Sequence, residues 1–133
     1  MDLRILEIAS NTENNKILAK HTHKSKNKNP MCGDVMEISL LVKDNKVVDM
    51  GYQCKSCVYC QASVSLLSQN IRNKNLEEIK DLITTCEKVF GNTKTILEKK
   101  WINFKEIFNK KNISRKECLL LPMRTVLKAL KLQ

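Results

Sequence analysis

The sequence predicts an α+β fold in which a β-hairpin near the middle of the chain is followed by a succession of helices. Two strand-length apolar runs flank an Asp44-Asn45 turn signal. From Val58 onward the apolar period changes from that of a strand to that of a helix. No linker-like stretch or internal repeat interrupts the 133 residues, so one domain, 1–133, is expected.

In chain order, Asp2 to Ala9 reads as a short amphipathic helix with Leu3, Ile5, Leu6 and Ile8 on its apolar side, ended by the Asn-rich stretch 11–16. Residues 20–29, KHTHKSKNKN, read as a loop or as an edge strand whose outward positions meet water. Val35 to Val42 and Lys46 to Tyr52 form the hairpin. Antiparallel pairing then sets Cys32, Gly33 and Asp34, before the first strand, beside Cys54 to Cys57, just past the end of the second. Helices are expected over 58–71 and over Leu76 to Val89, the latter broken by Phe90-Gly91-Asn92. Thr95 to Asn109 reads as a helix or two short ones. Ser114 with Glu117 three residues on suggests a capping box opening a last helix that runs from Arg115 to the C-terminus. Pro122 inside it implies a kink or a later start.

Composition narrows the function classes. The net charge is +10, from 24 Lys+Arg against 14 Asp+Glu. The lysines are scattered and aromatics make up only 5%, unlike nucleic-acid readers that interleave bases' stacking partners with cations. The charge is read as solubility or partner steering, with no nucleic acid expected. No leader-like opening or membrane-length apolar run is visible, so a cytoplasmic chain without a membrane role is expected. In a reducing compartment, six cysteines point to metal binding or catalysis rather than to disulfides.

The cysteines differ in setting. Cys32 and Asp34 flank Gly33 just after Pro30, a turn able to aim a thiolate and a carboxylate at one point. Cys57 and Cys118 fall at the starts of predicted helices, where the helix dipole favours a thiolate. Cys86 lies on an apolar helix face and reads as a small core residue. The C-x-x-C-x-x-C spacing of Cys54, Cys57 and Cys60 leaves half of a zinc ribbon, a redox pair and simple packing open. His21 and His23 alternate as on one face of a strand, either as metal ligands or as solvated side chains.

Three segments carry a resemblance. Asn29-Pro30-x-Cys32-Gly33-Asp34, then Cys57-x4-Ala62-Ser63-x-Ser65, then Arg115-x-x-Cys118-x-x-Leu121, resemble the NifU/IscU/SufU family of iron–sulfur cluster assembly proteins. The resemblance implies a SufE/NifU-like α+β fold, with a small antiparallel sheet, helices packed on one face and a metal site at the sheet end. It implies the ligand set Cys32, Asp34, Cys57 and Cys118. Glu117 stands where IscU-type scaffolds carry a histidine before the last cysteine. Arg115 and the added 90–112 region resemble instead the SufU type, which binds zinc and accepts persulfide sulfur from a cysteine desulfurase.

The expectation is therefore a SufU-like zinc-bound sulfur acceptor working with a cysteine desulfurase and downstream assembly or acceptor proteins, and expected to be a monomer. Cys118 is the expected acceptor and Arg115 the expected stabiliser of its persulfide. Any enzyme role is at most that of a sulfurtransferase partner. The alternatives are a scaffold that assembles a [2Fe–2S] cluster on Cys32, Cys57 and Cys118, and, from another class, a small zinc-stabilised nucleic-acid-binding module.

Overall fold

In chain order, helix α1 (Leu3–Ala9) leads into strands β1 (His23–Lys28), β2 (Val35–Lys43) and β3 (Lys46–Lys55). Helix α2 (Val58–Asn70), the two-residue strand β4 (Lys74–Asn75) and helix α3 (Leu76–Val89) come next. Two 3-10 helices (Lys99–Glu106 and Lys110–Arg115) lead into helix α4 (Lys116–Leu130). The structure is a computed structural model that describes residues 3–91 and 94–131. Asp2, proposed to open the first helix, Asn92 of the proposed break, and the last two residues of the chain lie outside the described residues.

The strands form one antiparallel sheet in the order β1-β2-β3-β4. The β2–β3 hairpin turns at Asp44 and Asn45, both with positive φ (52° and 62°), the backbone of a two-residue turn whose twist matches that of the strands. Alternation sends Met36, Ile38 and Leu40 of β2, and Met50 and Tyr52 of β3, to one buried face. Helix α4 lies along β1 and β2 on that face, and α2 meets β3. This is the α+β arrangement expected, with the helices collected on one side of the sheet.

Helix α2 is buried on nearly every side, from Cys60 through Ser68. Its hydroxyls solve the problem this creates for polar groups. Ser63 Oγ donates to the Leu119 carbonyl (2.6 Å), and Ser65 Oγ to the Asn11 carbonyl (2.7 Å). The first of these bonds fixes α4 against α2 one residue from Cys118.

Of the two readings of residues 20–29, the edge strand is the one formed; its inward positions His23, Ser25 and Asn27 are polar, and Ser25 Oγ donates to the Thr125 carbonyl of α4 (2.7 Å). Several other expectations are corrected. Strand β3 continues to Lys55, so Cys54 lies inside it opposite Met36 rather than past its end. The 95–109 region forms 3-10 turns, with Trp101 outside helical φ/ψ, because its aromatic residues fold back onto the core rather than along one helical stripe. Leu3 and Leu6 of α1 are exposed; only Ile5, Ile8 and Ala9 of that helix are buried. The capping box sits at Asn75 and Glu78, not at Ser114. Ser114 lies in the second 3-10 helix, Arg115 precedes α4 with no side-chain cap, and Glu117 pairs with Arg124. Pro122 lies within α4, where it has no N–H to offer the Cys118 carbonyl. Among the described residues no helix is long and apolar enough to cross a membrane.

Candidate metal centre

The loop 29–34 is built to turn tightly. The Asn29 amide donates to the Asp34 carbonyl and the Gly33 amide to the Asn29 carbonyl (both 2.8 Å). Asn29 Oδ1 accepts from the Met31 amide (3.0 Å). Gly33 holds φ +78°, a left-handed conformation that favours glycine. The loop therefore delivers Cys32 and Asp34 together from the end of β1 and the start of β2.

Asp34 is the hub. Its carboxylate is 5% exposed. Oδ2 accepts from the Cys32 thiol at 3.0 Å and from the Cys57 thiol at 3.7 Å. Oδ1 accepts from the Cys57 amide at 3.1 Å. Cys57 is the residue before the first turn of α2, so Asp34 satisfies a helix-end N–H that the Cys57 side chain leaves alone. Cys118, third residue of α4, completes the group with its sulfur 3.8 Å from that of Cys32. The ligand atoms of Cys32, Asp34 and Cys118 lie within 4.8 Å of one another. The four residues implied by the resemblance thus arrive from three separate places in the chain.

The electrostatics of this group are unusual for a protein interior. Among the described residues no cation is paired with Asp34. A buried carboxylate beside three thiols with no cation is costly on its own. Three sulfurs and one carboxylate are also a donor set suited to zinc or to a cluster iron. The residues present therefore fit a bound metal cation.

The Cys118 thiol does not have the lowered pKa that its place in a first helical turn suggested. Burial pushes it well up, and Cys57, Asp34 and Cys32 around it push in the same direction. It is also 6% exposed, not freely accessible. Desolvation and crowding by neighbouring acids outweigh the helix dipole, whose effect is confined to about 0.3–1 kcal/mol at a surface. A cation at this group would reverse that order, because it favours the thiolate.

Arg115 has an aromatic partner at the start of α2. Its guanidinium lies 5.2 Å from the centroid of the Tyr59 ring, a cation–π contact that ties the approach to α4 to the first turn of α2. Tyr59 had no sequence signal for this, because its partner is distant in the chain. Cys60 and Cys86 are fully buried, and burial pushes both thiols far up. Cys54 is half-buried at the edge of the group, its thiol also raised chiefly by burial. The two histidines do not join the centre: His21 Nδ1 meets the Leu18 carbonyl and His23 Nδ1 the Thr22 hydroxyl.

The family model described as NifU-like N terminal domain matches residues 2–113. The chain is 35% identical over 105 residues to the iron-sulfur cluster assembly scaffold protein IscU of Thermotoga maritima, spanning 78% of this chain and 73% of that protein. Its fold is similar to that of the NifU-like protein (N-terminal) from Brucella abortus, with TM-score 0.89 and 22% identity over 98% of this chain and 91% of that one. It is likewise similar to the putative SUF-system scaffold SufU of Fervidobacterium islandicum, with TM-score 0.86 and 23% identity over 98% and 96% of the two chains.

Proposed function

The chain belongs to the NifU-like N-terminal domain family, and from that premise we propose that it works in iron–sulfur cluster assembly as a zinc-bound sulfur acceptor of the SufU type. The observation that carries the proposal is the convergence of Cys32, Asp34 and Cys118, whose ligand atoms lie within 4.8 Å of one another, with Cys57 joined to them through Asp34, its thiol 3.7 Å from Oδ2. These four residues would hold the metal, and zinc there would supply the positive charge that keeps thiols as thiolates.

Asp34 is the exchangeable member. A carboxylate is a harder, weaker partner for zinc than a thiolate, and Asp34 has the Cys57 amide and the Cys32 thiol to fall back on. Cys118 is the acceptor. Its sulfur bonds to the outer sulfur of a persulfide on a cysteine desulfurase. The sulfur–sulfur bond of the donor breaks, and its electron pair leaves on the desulfurase cysteine as a thiolate. Cys118 attacks as the thiolate; in the metal-free centre it carries a proton, and Asp34 is within reach to take that proton when the thiolate forms. Arg115 serves the resulting persulfide anion by leaving the Tyr59 ring.

A second reading is favoured by the similarity to a protein named as an IscU scaffold. In it the same cysteines receive iron and sulfide as cargo and build a [2Fe–2S] cluster. Two measurements test the choice. Metal and acid-labile sulfide are determined on anaerobically purified protein. Persulfide is mapped by mass spectrometry after incubation with a cysteine desulfurase and cysteine. Zinc without sulfide, and label on Cys118 that is lost in Cys118→Ser, are the expected results. Stoichiometric iron with sulfide supports the scaffold reading, and label confined to Cys54, Cys57 or Cys60 overturns Cys118 as acceptor.

A further inference from the structure

The lysine-rich strand β1 plays no part in the centre, yet it is the most regular charge pattern in the chain. Lys24, Lys26 and Lys28 alternate with half-buried residues and are all exposed. The register carries this alternation across the sheet: Lys28 pairs with Val35 and Val35 with Lys55, while Lys26 pairs with Glu37 and Glu37 with Gln53. All six therefore share the face opposite the helices.

One end of that face is closed and the other open. The segment 14–18 lies over Ser39 and Gly51, where the Leu18 amide donates to Ser39 Oγ. Beyond it lies a shallow cavity of about 520 Å³, lined by Asn15, Lys26, Val35, Glu37, Gln53 and Lys55 among others. Lys28 immediately precedes the Asn29–Asp34 loop, and Lys55 is two residues before Cys57. The open half of the face thus adjoins the cysteine–aspartate end of the sheet.

Edge strands often carry lysines merely to discourage aggregation. Lys55 argues for more than that, because it sits on β3, two strands from β1, and carries the charge across the open face to a strand on the far side of β2. Among the described residues no ion pair engages Lys26, Lys28 or Lys55; Glu37, the acid in their midst, faces Lys24 at 3.8 Å. Strand addition is not the favoured mode, since Lys128 of α4 already donates to the Lys26 carbonyl (2.8 Å).

We propose that the open sheet face around Lys26, Lys28 and Lys55 is a docking surface for an acidic segment of a protein partner, held next to the cysteine–aspartate centre. Charge complementarity identifies the occupant: Lys26 and Lys55 line a depression that also includes Val35, and Lys28 lies across from Val35 on the same face. A nucleic acid fits less well, because the face has no aromatic platform and no arginine, and Glu37 repels phosphates. Electrostatic docking of this kind steers encounter and falls with salt.

The test uses the full chain and a fluorescein-labelled Glu/Asp-rich twelve-residue peptide as probe, followed by fluorescence anisotropy at low and high salt. A neutral peptide of the same length and a single-stranded oligonucleotide are run beside it. Saturable binding of the acidic peptide is expected, weakened about tenfold or more by the triple variant Lys26→Glu, Lys28→Glu, Lys55→Glu. Reversal of Lys80, Lys99 and Lys110, elsewhere on the surface, is expected to leave it within about twofold. Amide shifts on the unmodified chain are expected at 26–28, 35–37 and 53–55, a readout independent of whether the variant folds. Equal weakening by both triple variants, shifts that miss these strands, or tighter binding of the oligonucleotide than of the peptide would overturn the proposal. Because the readout is peptide binding without metal or desulfurase, its failure leaves the sulfur-acceptor reading intact.

Discussion

Asp34 has two tasks at once, and they pull its substitution in opposite directions. It is the weaker metal partner among three thiols, and it also satisfies the Cys57 amide at the start of α2. Asp34→Ala is expected to lower metal-free stability by about 1 kcal/mol, the cost of leaving that N–H without its acceptor. The same variant is expected to release zinc to a competing chelator more slowly than the parent, because the readily exchanged ligand is gone. Urea unfolding and a zinc-indicator time course measure the two effects, and faster zinc loss would count against Asp34 as the exchangeable ligand. Cys86 gives a second residue-scale prediction. It is fully buried among Ile79, Leu82 and Ile83 on the inner face of α3, and burial raises its thiol pKa. A raised pKa means that the folded state keeps the proton while the unfolded chain loses it above about pH 8.5. Its contribution is therefore complete below that pH and declines as pH rises, by up to about 1.4 kcal/mol per pH unit. Cys86→Ala is expected to flatten the fall in stability between pH 8 and pH 10, as read from urea midpoints at each pH.

At the scale of elements, the main chain of segment 14–18 lies directly against that of β3. The Tyr52 amide donates to the Asn14 carbonyl (3.0 Å), and a Cβ on Gly51 would collide with the Lys16 carbonyl oxygen. Backbone cannot step aside as a flexible side chain can. Gly51→Ala is expected to cost roughly 2 kcal/mol, and an unchanged urea midpoint would show that the segment moves freely. Helix α3 depends on its first turn, where Asn75 and Glu78 exchange side-chain and backbone bonds while Asn75 also ends β4. Asn75→Ala is expected to remove about 1 kcal/mol by the same measurement. The edge strand β1 shows why a sequence can leave such an element open between loop and strand. Its inward residues are polar: Ser25 bonds to α4, while His23 and Asn27 bond to the adjacent Thr22 hydroxyl and Lys28 amide, so the apolar half of the alternation is missing.

For the whole molecule, the centre joins elements that the chain separates widely. The loop after β1, the start of α2 and the start of α4 meet only when the sheet and helices are packed. A metal held by all three binds the folded state and not the unfolded chain. Zinc at a thousand times its dissociation constant is expected to add about 4 kcal/mol, a rise in Tm on the order of 10 °C for a chain of this size. Chelation is expected to reverse the rise, as followed by circular dichroism, and a Tm insensitive to zinc would argue against a shared site.

The hairpin with its turn, and the helices expected over 58–71 and 76–89, were legible in the sequence alone, and three motif segments named Cys32, Asp34 and Cys118, which the fold brings together. The elements depend on local periodicity and on turn positions written within a few residues, and the site residues on three short motifs, each local in itself. That Cys54 belongs to a strand, that Ser114 is no capping residue of α4, that Arg115 rests on Tyr59 and that Cys118 is buried with a raised pKa came from packing alone. Each of these depends on a partner far along the chain. Desolvation and neighbouring charge are properties of the packed interior, and no local pattern encodes them.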